Sequence, residues 1–158
     1  MTNRTFLHTL FGVAALLFVG CGNHFAITAP TSFATLQEND RNGYQMRATT
    51  ADGVVVGVRE IENDTHAGQA FWATAIRNRL ERAGGYALVS EGEVRTTHGE
   101  TGLQLRFGRD ENNATYDYWL TLFVTHDRIF IIEAGGRRTR FEAERANVEA
   151  SIASFHPT

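Results

Sequence analysis

Between residues 86 and 134 the apolar side chains recur at every second position, and this period limits the fold more than any other feature of the chain. The segments 86–95, 101–109, 114–126 and 128–134 read as strands. Their connections are short: 96–100, 110–113 and the tight His126-Asp127 turn. Loops of that length reverse the chain, so consecutive strands pair antiparallel as a meander. In Leu103-Gln104-Leu105-Arg106-Phe107 apolar and polar residues alternate cleanly, which suits a strand covered locally on one face. Within 116–124 both sets are apolar, with Tyr118, Leu120, Leu122 and Val124 against Trp119 and Phe123. Such a strand belongs at the centre of a sheet covered on both sides.

Upstream, the β-rich runs 44–50 and 54–61 flank Ala51-Asp52-Gly53, and Asp-Gly between such runs predicts a hairpin. Asn63-Asp64-Thr65 supplies turn and capping residues for a helix over 66–83. Its apolar stripe is expected to be Phe71, Ala75, Ile76, Leu80 and Ala83, widened by Trp72, and Gly84-Gly85 ends it. Gly135-Gly136 is expected to break the last strand. A second helix follows over 138–154, where Phe141, Val148, Ile152 and Phe155 mark the buried side and the charged Glu144 and Arg145 interrupt it. The order is ββ-α-ββββ-α, an α+β fold with helices packed on an antiparallel sheet.

The first residues define a different kind of segment. Arg4 precedes an apolar run over 6–19, and Gly20 and Cys21 close it. A short basic start, an apolar stretch and small residues at the cut form a secretory signal. The run, about 14 residues, is shorter than the roughly 18 to 20 a spanning helix needs. Phe18-Val19-Gly20-Cys21 resembles a lipobox, with Phe18 where Leu is usual and Val19 where Ala or Ser is usual. The expected organisation is a lipoprotein signal peptide over 1–20, a lipidated tether over 21–32 and one α+β domain over 33–158. Cys21 is the only cysteine, so no internal disulfide can form and lipidation would consume the thiol. Stable anchoring takes more than one acyl chain, which a diacylglycerol plus an amide-linked chain such as palmitate would supply. A free tether of ten residues would reach roughly 33 Å at most. Gly22, rather than Asp, follows the cysteine. By resemblance to Gram-negative lipoproteins this favours the outer membrane in such an envelope.

Ala70-Phe71-Trp72 with Leu80, Gly85-Tyr86, the 103–107 and 118–124 strands, and Phe141 with Ile152-Ala153-Ser154-Phe155 together resemble the PsbP-like superfamily, over about residues 43–155. That group includes the extrinsic photosystem protein, Mog-type proteins and many small bacterial lipoproteins. The resemblance implies a noncatalytic binding or assembly module that works through protein contacts. The matching residues are core and turn residues, so no site residue is carried over.

Chemistry-bearing motifs are sparse. With 15 basic and 18 acidic residues and a net charge of −3, the chain lacks a nucleic-acid footprint. His66, His98 and His126 fall in turns without His-x-x-x-His or His-Glu-x-x-His spacing, so neither a metal nor a cofactor is expected. Asp110-Glu111-Asn112-Asn113 lacks the alternating ligands of a calcium loop. No Gly-x-Ser-x-Gly elbow or phosphate loop occurs. The one concentrated basic patch, Arg137, Arg138 and Arg140, is the expected surface for a partner or for anionic lipid. The expected function is a membrane-anchored lipoprotein whose noncatalytic domain binds a protein or envelope component. The alternative is a small-ligand binder or hydrolase with a pocket near Trp72, Tyr118 and Trp119.

Overall fold

The computed structural model describes residues 22–36 and 43–158. The expected signal peptide over 1–20 and Cys21 lie outside the described residues.

The long hairpins expected from the period-two pattern form. β6 (Thr101–Glu111) and β7 (Ala114–Val124) are joined by Asn112-Asn113, whose φ values of 50° and 59° are those of a tight two-residue reversal. β7 pairs in turn with β8 (Arg128–Arg137), and β5 (Ala87–Arg95) flanks β6. The upstream hairpin of β3 (Met46–Thr49) and β4 (Val55–Glu62) joins this meander through β8. β2 (Ala34–Thr35) completes a seven-stranded sheet in the order β2-β3-β4-β8-β7-β6-β5, antiparallel throughout.

Gly135-Gly136 does not end β8. The strand continues to Arg137, with Gly135 opposite Val55 and Tyr118, and Gly136 opposite Asp117. A Cβ at Gly135 would stand 3.2 Å from the Tyr118 ring and one at Gly136 3.1 Å from Val54. The two glycines therefore admit their neighbours rather than interrupt the ladder.

The two helices cover opposite faces. α2 (Arg138–Ala153) buries Phe141, Val148 and Ile152 against Val56, Val58, Trp119, Phe123, Phe130 and Ile132. α1 (Gln69–Ala83) lies on the other side, over Leu105, Phe107, Leu120, Leu122 and Ile131. α1 begins three residues later than expected, because His66 takes a left-handed φ of 49° that no helix accommodates. Its buried stripe is also rotated. Ala73 is buried with Trp72, Ile76 and Leu80 packed beside it, whereas Phe71 is 58% exposed. The buried Asn63 accepts a hydrogen bond from Trp72 Nε1 at 3.1 Å and thereby sets the rotation.

Residues 22–32, expected to be a tether, lie against the domain from His24 onward. β1 (Phe25–Ala26) pairs with β9 (His156–Pro157) at the other end of the chain. Phe25 enters the α2-side core and stacks on Phe155, with ring centroids 6.1 Å apart. Ser151 Oγ donates to the Thr28 carbonyl at 2.7 Å, and the Thr28 amide donates to Ser154 Oγ at 2.9 Å. Phe33 is buried in the same cluster. Two phenylalanines that gain by leaving water hold this segment down.

Phe155 joins these parts, since its ring also lies 4.5 Å from Phe123 and 5.3 Å from Phe130. Phe155→Ala is expected to destabilise the fold by about 3 to 5 kcal/mol, the usual cost of deleting a buried phenyl ring. Urea denaturation monitored by tryptophan fluorescence checks this.

Candidate functional site

α1 is shorter than the sheet is wide. It covers β5, β6 and β7 and leaves the same face of β3, β4 and the end of β8 open. Strand parity puts Val55, Gly57 and Arg59 of β4 on this open face, beside Glu133 and Gly135 of β8 and Tyr116 and Tyr118 of β7. Gly57 and Gly135 contribute no side chain, so the Tyr44 and Tyr118 rings lie low against the sheet there. The result is a concavity of about 330 Å³ with Glu133 in its floor. The chain has four tyrosines, and Tyr44, Tyr86, Tyr116 and Tyr118 all line it.

The aromatic walls are fixed by charge. The Arg59 guanidinium lies 3.7 Å from the centre of the Tyr44 ring, and that of Arg109 5.5 Å from the Tyr86 ring. Tyr86 and Tyr118 are in contact, with centroids 5.2 Å apart. Gly57 is a requirement here, because a Cβ at that position would come within 2.8 Å of the Tyr44 ring. Glu133 accepts a short hydrogen bond from Tyr44 Oη and another from Arg59 Nε at 3.3 Å.

These contacts set the protonation of the site. Burial, and then the Glu133 carboxylate, push the Tyr44 phenol above its ordinary 10.0. Burial pushes Tyr118 further up, and Glu133 adds to it. Burial is the largest influence on Arg59 and opposes its charge, but the Glu133 carboxylate and Tyr44 together outweigh it and hold the guanidinium above its ordinary value. Both phenols are therefore hydrogen-bonding groups near neutral pH. A tyrosine acting as base or nucleophile needs the opposite shift. The arrangement suits recognition: flat apolar walls, cations behind them and polar groups at the base.

The expected pocket near Trp72, Tyr118 and Trp119 does not form. Tyr118 lines the concavity, but Trp119 is the next residue of the same strand and projects to the α2 face. There its ring lies 3.8 Å beneath the Arg106 guanidinium and edge-on to Phe141. Trp72 is held at the start of α1 by Asn63. The basic patch stands at the end of the sheet next to the concavity. Arg138 Nε and Nη2 both donate to Asp117 Oδ1, at 3.0 and 2.9 Å, and Arg140 Nη1 lies 3.6 Å from Asp52 Oδ2. Arg137 and Arg140 border a hollow with Tyr116 and Gly53, both of which also line the concavity, so the two regions are continuous. Sequence reading missed Glu133, Gly57 and the clustering of the tyrosines. A lone acid in the apolar run Ile129–Ala134 and a lone glycine among Val54–Val58 were the available signals.

The chain has the PsbP-like fold. LpqN of Mycobacterium tuberculosis, described as involved in cell envelope biogenesis, superposes with a TM-score of 0.68 at 11% identity, over 89% of this chain and 87% of LpqN. Cyanobacterial PsbP (CyanoP) from Synechocystis gives 0.59 at 12%, over 92% and 99%. PA94, a Pseudomonas aeruginosa protein of unknown function, gives 0.56 at 9%, over 80% and 83%. No family model and no curated protein matches the sequence. Among the described residues no helix is long and apolar enough to cross a membrane.

Glu133→Gln is expected to lower the pH at which Tyr44 ionises, because both its hydrogen bond and its charge favour the protonated phenol. Tyr118 stays elevated, since burial is its leading cause. In the parent the raised phenols stabilise the fold fully below their unfolded value of 10.0, and this contribution is lost as pH rises through the folded values. Ultraviolet titration of tyrosinate absorbance in the two proteins checks the shift.

Proposed function

We propose that this protein is a lipid-anchored envelope protein whose domain binds a protein or envelope component, without catalysis, through the tyrosine-lined concavity and the arginines beside it. The observation that carries this reading is the gathering of all four tyrosines around Glu133, with the Tyr44 and Tyr118 phenols held protonated. The lipobox-like residues ending in Cys21, and a fold shared with an envelope-biogenesis protein, support the cellular setting. With Gly22 after the cysteine, the outer membrane is the proposed address in a Gram-negative envelope.

The docked N-terminus gives the proposal a direction. The His24 amide and imidazole both bond Glu60, which pairs with Phe130 in β8. Between Cys21 and that contact stand only Gly22 and Asn23. From Phe130 to Arg137 the strand advances about 23 Å at its usual rise. A lipid on Cys21 therefore holds the His24 end at the bilayer and turns Arg137, Arg138, Arg140 and the mouth of the concavity away from it. This favours a partner reaching the domain from beyond the membrane surface over the anchoring headgroups themselves. The volume of the concavity also suits a small ligand, which is the second reading.

Cys21→Ala is expected to leave the chain unprocessed or to release it from membranes on fractionation. Processing and membrane retention equal to the parent would sink the anchor. For binding, partners captured by tagged protein from detergent-solubilised envelope should fall away with Tyr86→Ala/Tyr116→Ala and weaken with Arg137→Ala/Arg140→Ala. Capture unchanged in both variants would remove this surface from the function.

A further inference from the structure

At the His24 end of the sheet, two loops distant in sequence are bound into one unit by Asn63, which is only 1% exposed. Its amide donates to the Asp127 carbonyl at 2.9 Å, and its Nδ2 donates to the carbonyls of Thr125 at 3.0 Å and Ala67 at 3.1 Å. Its Oδ1 accepts from the Ala67 amide at 3.2 Å as well as from Trp72. The backbone amide and Nδ2 hold the β4–α1 loop against the β7–β8 turn, while Oδ1 braces that loop and the start of α1.

This clamp presents three ligand-bearing side chains together. His66, in its left-handed conformation, stacks on His126 with ring centroids 4.0 Å apart and 28° between planes. His66 Nδ1 lies 2.9 Å from the His126 carbonyl oxygen and 3.8 Å from Asp127 Oδ1. His126 Nδ1 lies 2.6 Å from that same carboxylate oxygen. One donor atom from each residue falls within 4.8 Å of the others. A non-glycine residue at positive φ costs energy, and the structure retains it where the ring must meet its partner.

We propose that His66, His126 and Asp127 form a binding site for a divalent transition ion of the zinc class. In a tetrahedral shell with bonds of about 2.0 to 2.1 Å, donor atoms stand about 3.3 Å apart. Two of the three separations, 2.6 and 3.8 Å, bracket that spacing and all three lie within 4.8 Å, so side-chain rotations close the set. The bond between His126 and Asp127, and the one His66 Nδ1 donates to the His126 carbonyl, are exchanged for bonds from the three side chains to the ion, with the imidazole protons released to solvent. Two imidazoles select Zn²⁺, Ni²⁺ or Cu²⁺ over Mg²⁺ and Ca²⁺, which prefer all-oxygen shells. Two imidazoles and one carboxylate on one side leave coordination positions open toward solvent. All three residues are exposed, so the ion reaches them without rearrangement of the core. The site stands at the opposite end of the sheet from the concavity and does not depend on the function proposed there.

The test is titration of the full-length, detergent-solubilised protein with Zn²⁺ alone, followed by calorimetry. One ion per chain is expected, with affinity falling at least about tenfold in His66→Ala and in Asp127→Asn, and further in His66→Ala/His126→Ala. Far-ultraviolet dichroism matching the parent shows that the variants are folded. A second readout is nuclear resonance broadening by Cu²⁺, expected around residues 63–67 and 125–128. His98 and His156 stack at 4.7 Å and provide the control. Absence of Zn²⁺ uptake by the parent, or uptake that survives His66→Ala/His126→Ala and is lost with His98→Ala, overturns the assignment.

Discussion

The pairing of β7 between β6 and β8 decides which chemistry faces which side, because a residue's parity in a strand fixes the face it occupies. Tyr118, Leu120 and Leu122 look toward α1, while Trp119, Thr121 and Phe123 look toward α2. A slip of one residue would send the Tyr118 hydroxyl into the phenylalanine cluster around Phe155 and strand Trp119 in the concavity. The register is held from both flanks, by Leu120 opposite both Leu105 and Glu133 and by Tyr118 opposite Phe107 and Gly135. The last of these pairings is fitted to a glycine, since a Cβ there would stand 3.2 Å from the Tyr118 ring, closer than ordinary packing.

Around this strand the molecule divides its labour. The α2 side is filled with phenylalanine and branched aliphatic residues and carries the stability. The α1 side is filled for only half its width, and the open half holds the polar network centred on Glu133. A carboxylate in a half-buried floor needs compensation, and Tyr44, just ahead of β3, and Arg59 on β4 supply it. Tyr44 then forms a wall of the hollow, with the Arg59 guanidinium against its ring, so neutralising the acid and shaping the site are one structural act.

Much of this organisation was legible in the sequence. Alternation in 103–107 and the doubly apolar 116–124 located two long strands, and the break at 110–113 the reversal between them. The polar face of the first is covered too, however, since Gln104 is buried against Thr121. The rest depended on contacts between distant residues. Nothing local says that β4 docks on β8, yet that pairing alone brings Gly57 beside Glu133. Gly135-Gly136 was legible as a break because glycine weakens a strand, whereas close packing of Tyr118 and Val54 is what it serves. Phe71 was expected inside on helical spacing, but the hydrogen bond between Trp72 and Asn63 turned the helix about its axis. His66 and His126 lie 60 residues apart, beyond the reach of any spacing rule.

The pairing of β1 with β9 brings residues 25–26 beside residues 156–157, and the Thr158 amide donates to the His24 carbonyl at 2.9 Å. The described fold is thus closed into a ring by its own backbone. A fusion or affinity tag appended after Thr158 would emerge where the proposed anchor enters and crowd it. A short peptide bridge could join the two ends, and the chain could be reopened at Asn112-Asn113 as a circular permutant. Such a molecule would carry its new termini at the end of the sheet that bears the arginines, leaving the paired ends of the original chain sealed.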